Sequence, residues 1–175
     1  MDTHTVCANE MLYDAYFYGA AWQSQLIDKA PGIEDTHQSP ASQALDSAES
    51  PHIVNQDSAS HALRYAHRTG DTWQIETVDN SARLGEDNSL ALDGHGRANI
   101  SYYDRNNGGL MYAYWNSVTW EINDLNKAWS VDDYASIPLD SSGNPQISYY
   151  DDDYRDFKIT EKSKINFLPT VRKIP

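Results

Sequence analysis

The chain has 175 residues and carries 13 Lys and Arg against 26 Asp and Glu, a net charge of −13. Such a length can bury a sizeable core, no apolar run approaches the ~20 residues that span a bilayer as a helix, and so acidic a chain is a poor partner for polyanionic nucleic acid. Tyr outnumbers Phe by 12 to 3, a bias toward amphipathic rings suited to strands and contact surfaces.

Residues 1–11 read MDTHTVCANEM and lack the basic start and the apolar stretch of about 7–15 residues that mark a secretory signal. They read as a loose leading segment. Its thiol, Cys7, has no second cysteine to pair with and no His-rich partner motif, so it is incidental.

From Leu12 onward the chain repeats itself. Leu12, Trp22 and Asp28 match Leu63, Trp73 and Asp79 at an offset of 51, which places a four-residue insertion in the loop-like stretch Lys29-Ala30-Pro31-Gly32. Leu45-Asp46, His52-Ile53 and Asp57 precede Leu92-Asp93, Asn99-Ile100 and Asp104 by 47 residues. Residues 63–109 and 110–156 then agree without gaps at 15 of 47 positions. Leu63-Arg64-Tyr65-Ala66 returns as Leu110-Met111-Tyr112-Ala113, Thr72-Trp73 as Thr119-Trp120, and Ile100-Ser101-Tyr102-Tyr103-Asp104 as Ile147-Ser148-Tyr149-Tyr150-Asp151. Downstream, Phe157-Lys158-Ile159 falls where Leu110-Met111-Tyr112 stood. Residues 161–175 form a basic tail.

Each unit holds four short β-type segments. In the best-preserved one they are Ser89–Asp93, Ala98–Asp104, Leu110–Trp115 and Trp120–Leu125. The joints have turn chemistry: Asp93-Gly94-His95-Gly96-Arg97 supplies an Asp that accepts backbone hydrogen bonds and glycines that take positive φ. Four strands every 40–50 residues, with no helical periodicity, is the pattern of a propeller blade. The fold class expected is therefore all-β, a partial β-propeller of about three and a half blades over residues 12–160.

The Ser-x-x-Leu-Asp, Gly-bearing turn, Ile-Ser-Tyr-Tyr-Asp, Leu-x-Tyr-Ala and Trp series resembles the repeats of bacterial secreted or surface β-propellers, related in style to sialidase-like and fucose-lectin-like propellers. The resemblance implies a binding or scaffold role and an extracellular or cell-surface location. The sialidase Asp box is absent; His67-Arg68-Thr69-Gly70-Asp71-Thr72-Trp73 only approximates its Gly-x-Thr-Trp end. About three and a half blades do not close a ring of the usual four to eight. Either copies of this chain close it together, or the chain is part of a longer propeller.

A catalytic pair occurs once per site, whereas Asp57, Asp104 and Asp151 recur in every unit where a strand enters a turn. They read as turn residues, as do Asp46, Asp93 and Asp140, and no catalytic residue is assigned. The acidic stretches 104–108 and 151–156 hold oxygen ligands of the kind calcium uses, without the spacing of an established calcium loop; the metal question stays open and no cofactor is expected. His67 and His95 read as surface or turn histidines.

Adjacent strand residues face opposite sides, so one ring of Tyr102/Tyr103 and of Tyr149/Tyr150 packs on each neighbouring blade. Trp73 and Trp120 read as anchors of the outer strand's edge. Trp115 and Trp129 have no aromatic counterpart in the preceding unit, where Arg68 and Ala82 stand. Trp115, Trp129, Tyr103 and Tyr150 are the candidate ligand-binding residues, for a carbohydrate or a protein surface. The competing readings are a sialidase-like glycoside hydrolase, weakened by the scatter of Arg64, Arg83, Arg97 and Arg105, and a purely structural repeat.

Overall fold

The computed structural model describes residues 3–8, 11–29, 41–57, 59–81, 84–126, 131–151, 155–161 and 172–173. Every regular element among them is a strand. Strands β1 (Thr3–Ala8), β2 (Met11–Tyr18) and β3 (Ala21–Lys29) form a first sheet. The second holds β4 (Ala41–Leu45), β5 (Pro51–Gln56), β6 (Leu63–Thr69) and β7 (Thr72–Asp79). The third holds β8 (Leu84–Leu92), β9 (Ala98–Asp104), β10 (Gly109–Trp115) and β11 (Trp120–Asn126). The fourth holds β12 (Val131–Ser136), β13 (Gln146–Asp151), β14 (Asp156–Glu161) and β15 (Arg172–Lys173). Each is an antiparallel meander whose spatial order follows the chain.

Four sheets thus stand where about three and a half units were expected. Residues 3–8, read above as loose, pair with β2 from Thr3↔Tyr16 to Ala8↔Met11. Arg172 and Lys173 of the basic tail pair with Ile159 and Lys158. Strand β8 begins at Leu84 rather than Ser89, and its extra residues reach β9 through two register irregularities around Glu86. The polar run Gly85-Glu86-Asp87-Asn88, with Asp87 at φ 48°, precedes the segment expected from the repeat and is drawn into the strand by pairing with β9.

The repeat is visible as repeated bonding. At the turn between the first two strands of the second, third and fourth sheets, one carboxylate oxygen closes the loop. Asp46 Oδ1 accepts from the N–H of Ala48 and Ser50, both at 2.8 Å. Asp93 Oδ1 accepts from His95 and Arg97 at 2.9 Å, and Asp140 Oδ1 from Ser142 and Asn144 at 2.8 and 2.9 Å. The fourth turn residue takes positive φ every time: Glu49 at 60°, Gly96 at 75° and Gly143 at 76°. Glycine enters that region without steric cost; glutamate does not. Against the upward pull of partial burial, the hydrogen bonds from Arg97 and from the turn amides hold the Asp93 carboxyl below its usual range.

Sheet is joined to sheet by the same device twice. The Leu90 N–H donates to Ser42 Oγ at 3.0 Å, and one repeat later the Ile137 N–H donates to Ser89 Oγ at 3.3 Å. Around these bonds lie three apolar clusters. Leu12 meets Ile53 and Ala66 between the first and second sheets. Val54, Leu63, Tyr65 and Val78 meet Leu90, Ile100, Tyr102 and Ala113 between the second and third. Leu110 and Tyr112 meet Ile137, Ile147 and Tyr149 between the third and fourth.

The tyrosine pairs divide as strand alternation requires. Tyr102 lies in the cluster facing the second sheet, while Tyr103 packs on the cluster facing the fourth. The Tyr102 hydroxyl also donates to Asp79 Oδ2 at 2.8 Å, across to the last strand of the preceding sheet. Trp73 and Trp120 do more than guard an edge. Each packs on a cluster that includes the preceding sheet, Trp73 on that of Leu12, Ile53 and Ala66 and Trp120 on that of Tyr65.

Two outcomes follow in urea unfolding. Glu49→Gly removes a strained backbone conformation and should raise stability by about 1 kcal/mol. Ser42→Ala leaves the Leu90 N–H without its acceptor and should cost about 1–3 kcal/mol, with the denaturant midpoint shifting and the m-value unchanged.

Candidate functional site

The hairpin ends joining β2 to β3, β6 to β7 and β10 to β11 carry an equivalent cross-strand pair in each sheet: Phe17↔Trp22, Arg68↔Trp73 and Trp115↔Trp120. Cross-strand partners share a face, so each tryptophan stands beside a variable companion. Trp115 and Trp120 are both half-buried, with ring centroids 5.6 Å apart at 58°. Phe17 and Trp22 meet edge to face at 5.6 Å.

At the junction of the second and third sheets the rings continue as a row. Trp120 meets Tyr65 edge to face at 5.2 Å, Tyr65 lies 5.4 Å from His67, and His67 stacks on His52 at 5.9 Å and 18°. The Tyr65 hydroxyl and His52 Nδ1 are hydrogen-bonded. One repeat on, Tyr112 donates to Asn99 Oδ1 at 2.6 Å, so His52 and Asn99 hold the same station with different chemistry. Burial depresses the His52 imidazole below its usual range, opposed by the hydrogen bond and charge of Asp46, whose carboxylate lies 3.6 Å away. His67 is therefore no surface histidine: it is half-buried and stacked. His95 is an exposed turn residue.

At the junction of the first and second sheets the same stations are filled by ionisable groups. Asp14, aligned with Tyr65 by the offset of 51, is 1% exposed. Burial raises its carboxyl above the usual range, with the charge of Arg68 pulling the other way. Several buried polar atoms at these two junctions lack a hydrogen-bond partner: Asp14 Oδ1 and Trp73 Nε1 at the first, His67 Nδ1 and Trp120 Nε1 at the second. An indole N–H is a donor only, and a carboxylate or an imidazole nitrogen can accept.

Arg64, Arg97 and several turn acids are committed elsewhere. Arg64 bridges Asp28 and Asp57 at 2.5 and 2.7 Å, and Arg97 binds Asp93 at 2.7 Å. Asp104 takes the amides of Asn106 and Asn107 and the Asn107 side chain. Asp151 pairs with Lys158. Among the described residues no group of three or more His, Cys, Asp and Glu gathers as metal ligands would.

Of the four predicted ligand residues, Trp115 stands in the aromatic row. Tyr103 packs toward the fourth sheet, Tyr150 lies against Phe157 at 5.3 Å, and Trp129 lies outside the described residues. Sequence reasoning missed His52, Tyr65, Asp14 and Arg68. The signal that finds His52, Asp14 and Arg68 is the one that singled out Trp115, a station where the residue changes while the repeat around it stays; Tyr65 recurs as Tyr112 and is found only through its neighbours.

No protein-family model matches the chain, and no curated protein matches it. Among solved structures it is similar to a fucose lectin from Kordia zhangzhouensis in complex with methyl-fucoside, at 16% identity and a TM-score of 0.52. The match covers 77% of this chain and 100% of that one. The likeness is one of fold: an all-β arrangement of successive antiparallel sheets.

The depressed His52 pKa has a sign that can be checked. Between the ordinary value of 6.5 and the lower folded value, the unfolded chain binds more protons than the folded one, so stability rises with pH across that window and falls on acidification through it. His52→Asn, which installs the residue that serves Tyr112, should keep the tyrosine's partner and flatten this part of the stability–pH curve.

Proposed function

We propose that the chain is a non-catalytic, lectin-like carbohydrate-binding module whose sheets are blades of a β-propeller, with sugar bound at the junctions between consecutive sheets. One observation carries this reading. At two successive junctions a half-buried tryptophan has an unbonded indole N–H, and the same junction holds an unbonded acceptor. Leaving a buried polar atom unpaired costs about 1–3 kcal/mol, and such atoms ordinarily have partners. A sugar answers this pattern. Its apolar face stacks on an indole, its hydroxyls donate to Asp14 Oδ1 or His67 Nδ1, and its oxygens accept from Trp73 or Trp120.

Likeness in fold to a lectin solved with methyl-fucoside supports a monosaccharide of that kind as the first probe. The pairing of Arg64 and Arg97 with structural carboxylates favours binding over hydrolysis, since a sialidase-like centre needs free arginines gathered around catalytic acids. Repeated weak sites gain by multivalency on a glycan surface. Extracellular or cell-surface placement belongs to the same proposal, because glycans are presented there.

Titration with methyl-fucoside, followed by calorimetry and backed by a glycan array, tests this. Trp120→Phe and Trp73→Phe should each weaken binding about tenfold, equivalent to ~1.4 kcal/mol, with the fold intact by circular dichroism. Asp14→Asn should weaken binding too while holding or raising stability at pH 7, because the folded site already disfavours the charged form. A folded protein that binds no glycan at millimolar concentration overturns the reading.

A further inference from the structure

The inner junctions reveal what the two outer faces of the chain lack. On the side of the second and third sheets that looks back along the chain, a tryptophan on the strand after the last hairpin packs on a cluster shared with the preceding sheet. Trp73 does so on the cluster of Leu12, Ile53 and Ala66, and Trp120 on that of Tyr65, whose ring it meets. Trp22 holds that station in the first sheet and is 54% exposed, with Phe17 and Leu26 exposed beside it. Its cross-strand partners place all three on one face: Phe17 pairs with Trp22, and Leu26 with Tyr13.

The forward-looking side shows the converse. Leu63 and Leu110 stand at the start of the third strand of their sheets and are wholly buried against the next sheet. Phe157 holds that station in the fourth sheet and is 59% exposed, with Tyr150 packed on it. One outer face therefore has a 54% exposed tryptophan at a station that elsewhere packs on a preceding sheet. The other has an uncovered apolar residue that elsewhere needs a following sheet.

We propose that these faces belong together across two copies of the chain: the Phe157 face of one copy covers the Trp22 face of the other, head to tail. The occupant is argued from the inner junctions: the leucine station is buried against the next sheet at all three, and the tryptophan station packs on the preceding sheet at the first two. A heterologous contact of this kind either closes into a ring or runs on as a filament. Four sheets per chain make two copies an eight-bladed ring, at the upper end of the four to eight blades usual for propellers. Three copies would exceed it. Both faces stand exposed in the single chain, so one copy does not close on itself.

Light scattering and sedimentation of the 175-residue chain test this. The expected mass is twice 19.8 kDa, falling toward the single-chain value on dilution. Trp22→Arg and Phe157→Arg should each give the single-chain mass. Mixing the two variants should restore a species of twice that mass, because the Trp22→Arg copy keeps a sound Phe157 face and the Phe157→Arg copy a sound Trp22 face. Phe157→Leu, which installs the residue of the inner junctions, should leave the mass doubled. So should Val118→Arg, placed at an 82% exposed hairpin position. A single-chain mass for the wild type at all concentrations overturns the proposal. A doubled mass that survives both arginine variants, or variants that fail to complement, overturns the head-to-tail contact. Sugar binding is read separately, so failure there leaves this result standing.

Discussion

A sheet that is apolar on both faces has to be covered twice. That constraint organises the molecule. The four-stranded meander is held by its own ladder of hydrogen bonds, but Tyr102 and Tyr103 point to opposite sides of it and both sides need a neighbour. The chain meets the need by repeating the unit and stacking the copies face to face. The substantial packing between sheets runs between sequence neighbours: β1 on β4, β4 and β5 on β8, β8 on β12. Ser42 and Ser89 set the spacing, since each hydroxyl reaches a main-chain N–H of the following sheet.

Within this frame, the turn aspartates serve architecture in every turn they close, while the polarity around the repeated tryptophans varies from sheet to sheet. Asp46, Asp93 and Asp140 do the same work to within 0.1 Å. At the station of the buried third-strand tyrosine, the chain places Asp14, Tyr65 and Tyr112 in turn. At its second-strand partner stand His52 and Asn99. A repeat can change such a position without disturbing its ladder, because the backbone bonds are indifferent to the side chain. Junctions therefore share a shape and differ in polarity.

Much of the architecture was legible in the sequence because period-2 alternation and Asp/Gly turns are local signals. Strand β9 coincides with the segment read from the repeat, and the sheet-joining role of the Tyr-Tyr pair follows from alternation alone. What escaped depends on contacts distant in sequence. Strand β1 has no repeat match and is defined by its pairing with β2. The polar start of β8 is strand only because β9 lies alongside. Trp115 was singled out by its departure from the repeat. His67 was misread because its stacking partner, His52, sits on the adjacent strand fifteen residues earlier, where no spacing rule links them. How far Tyr103 and Tyr150 are covered depends on the neighbouring sheet, and a single strand's pattern cannot show that.

The serine links have a consequence for how the molecule comes apart. Each couples one sheet to the next, so the folding free energy is shared out as intrinsic sheet terms plus nearest-neighbour coupling terms, the form of a one-dimensional cooperative chain. In a single copy, outside any ring, an interior unit is held by two couplings and an end unit by one. Local opening then begins at the ends and moves inward, and the amides of β9 and β10 become the slowest to exchange with solvent.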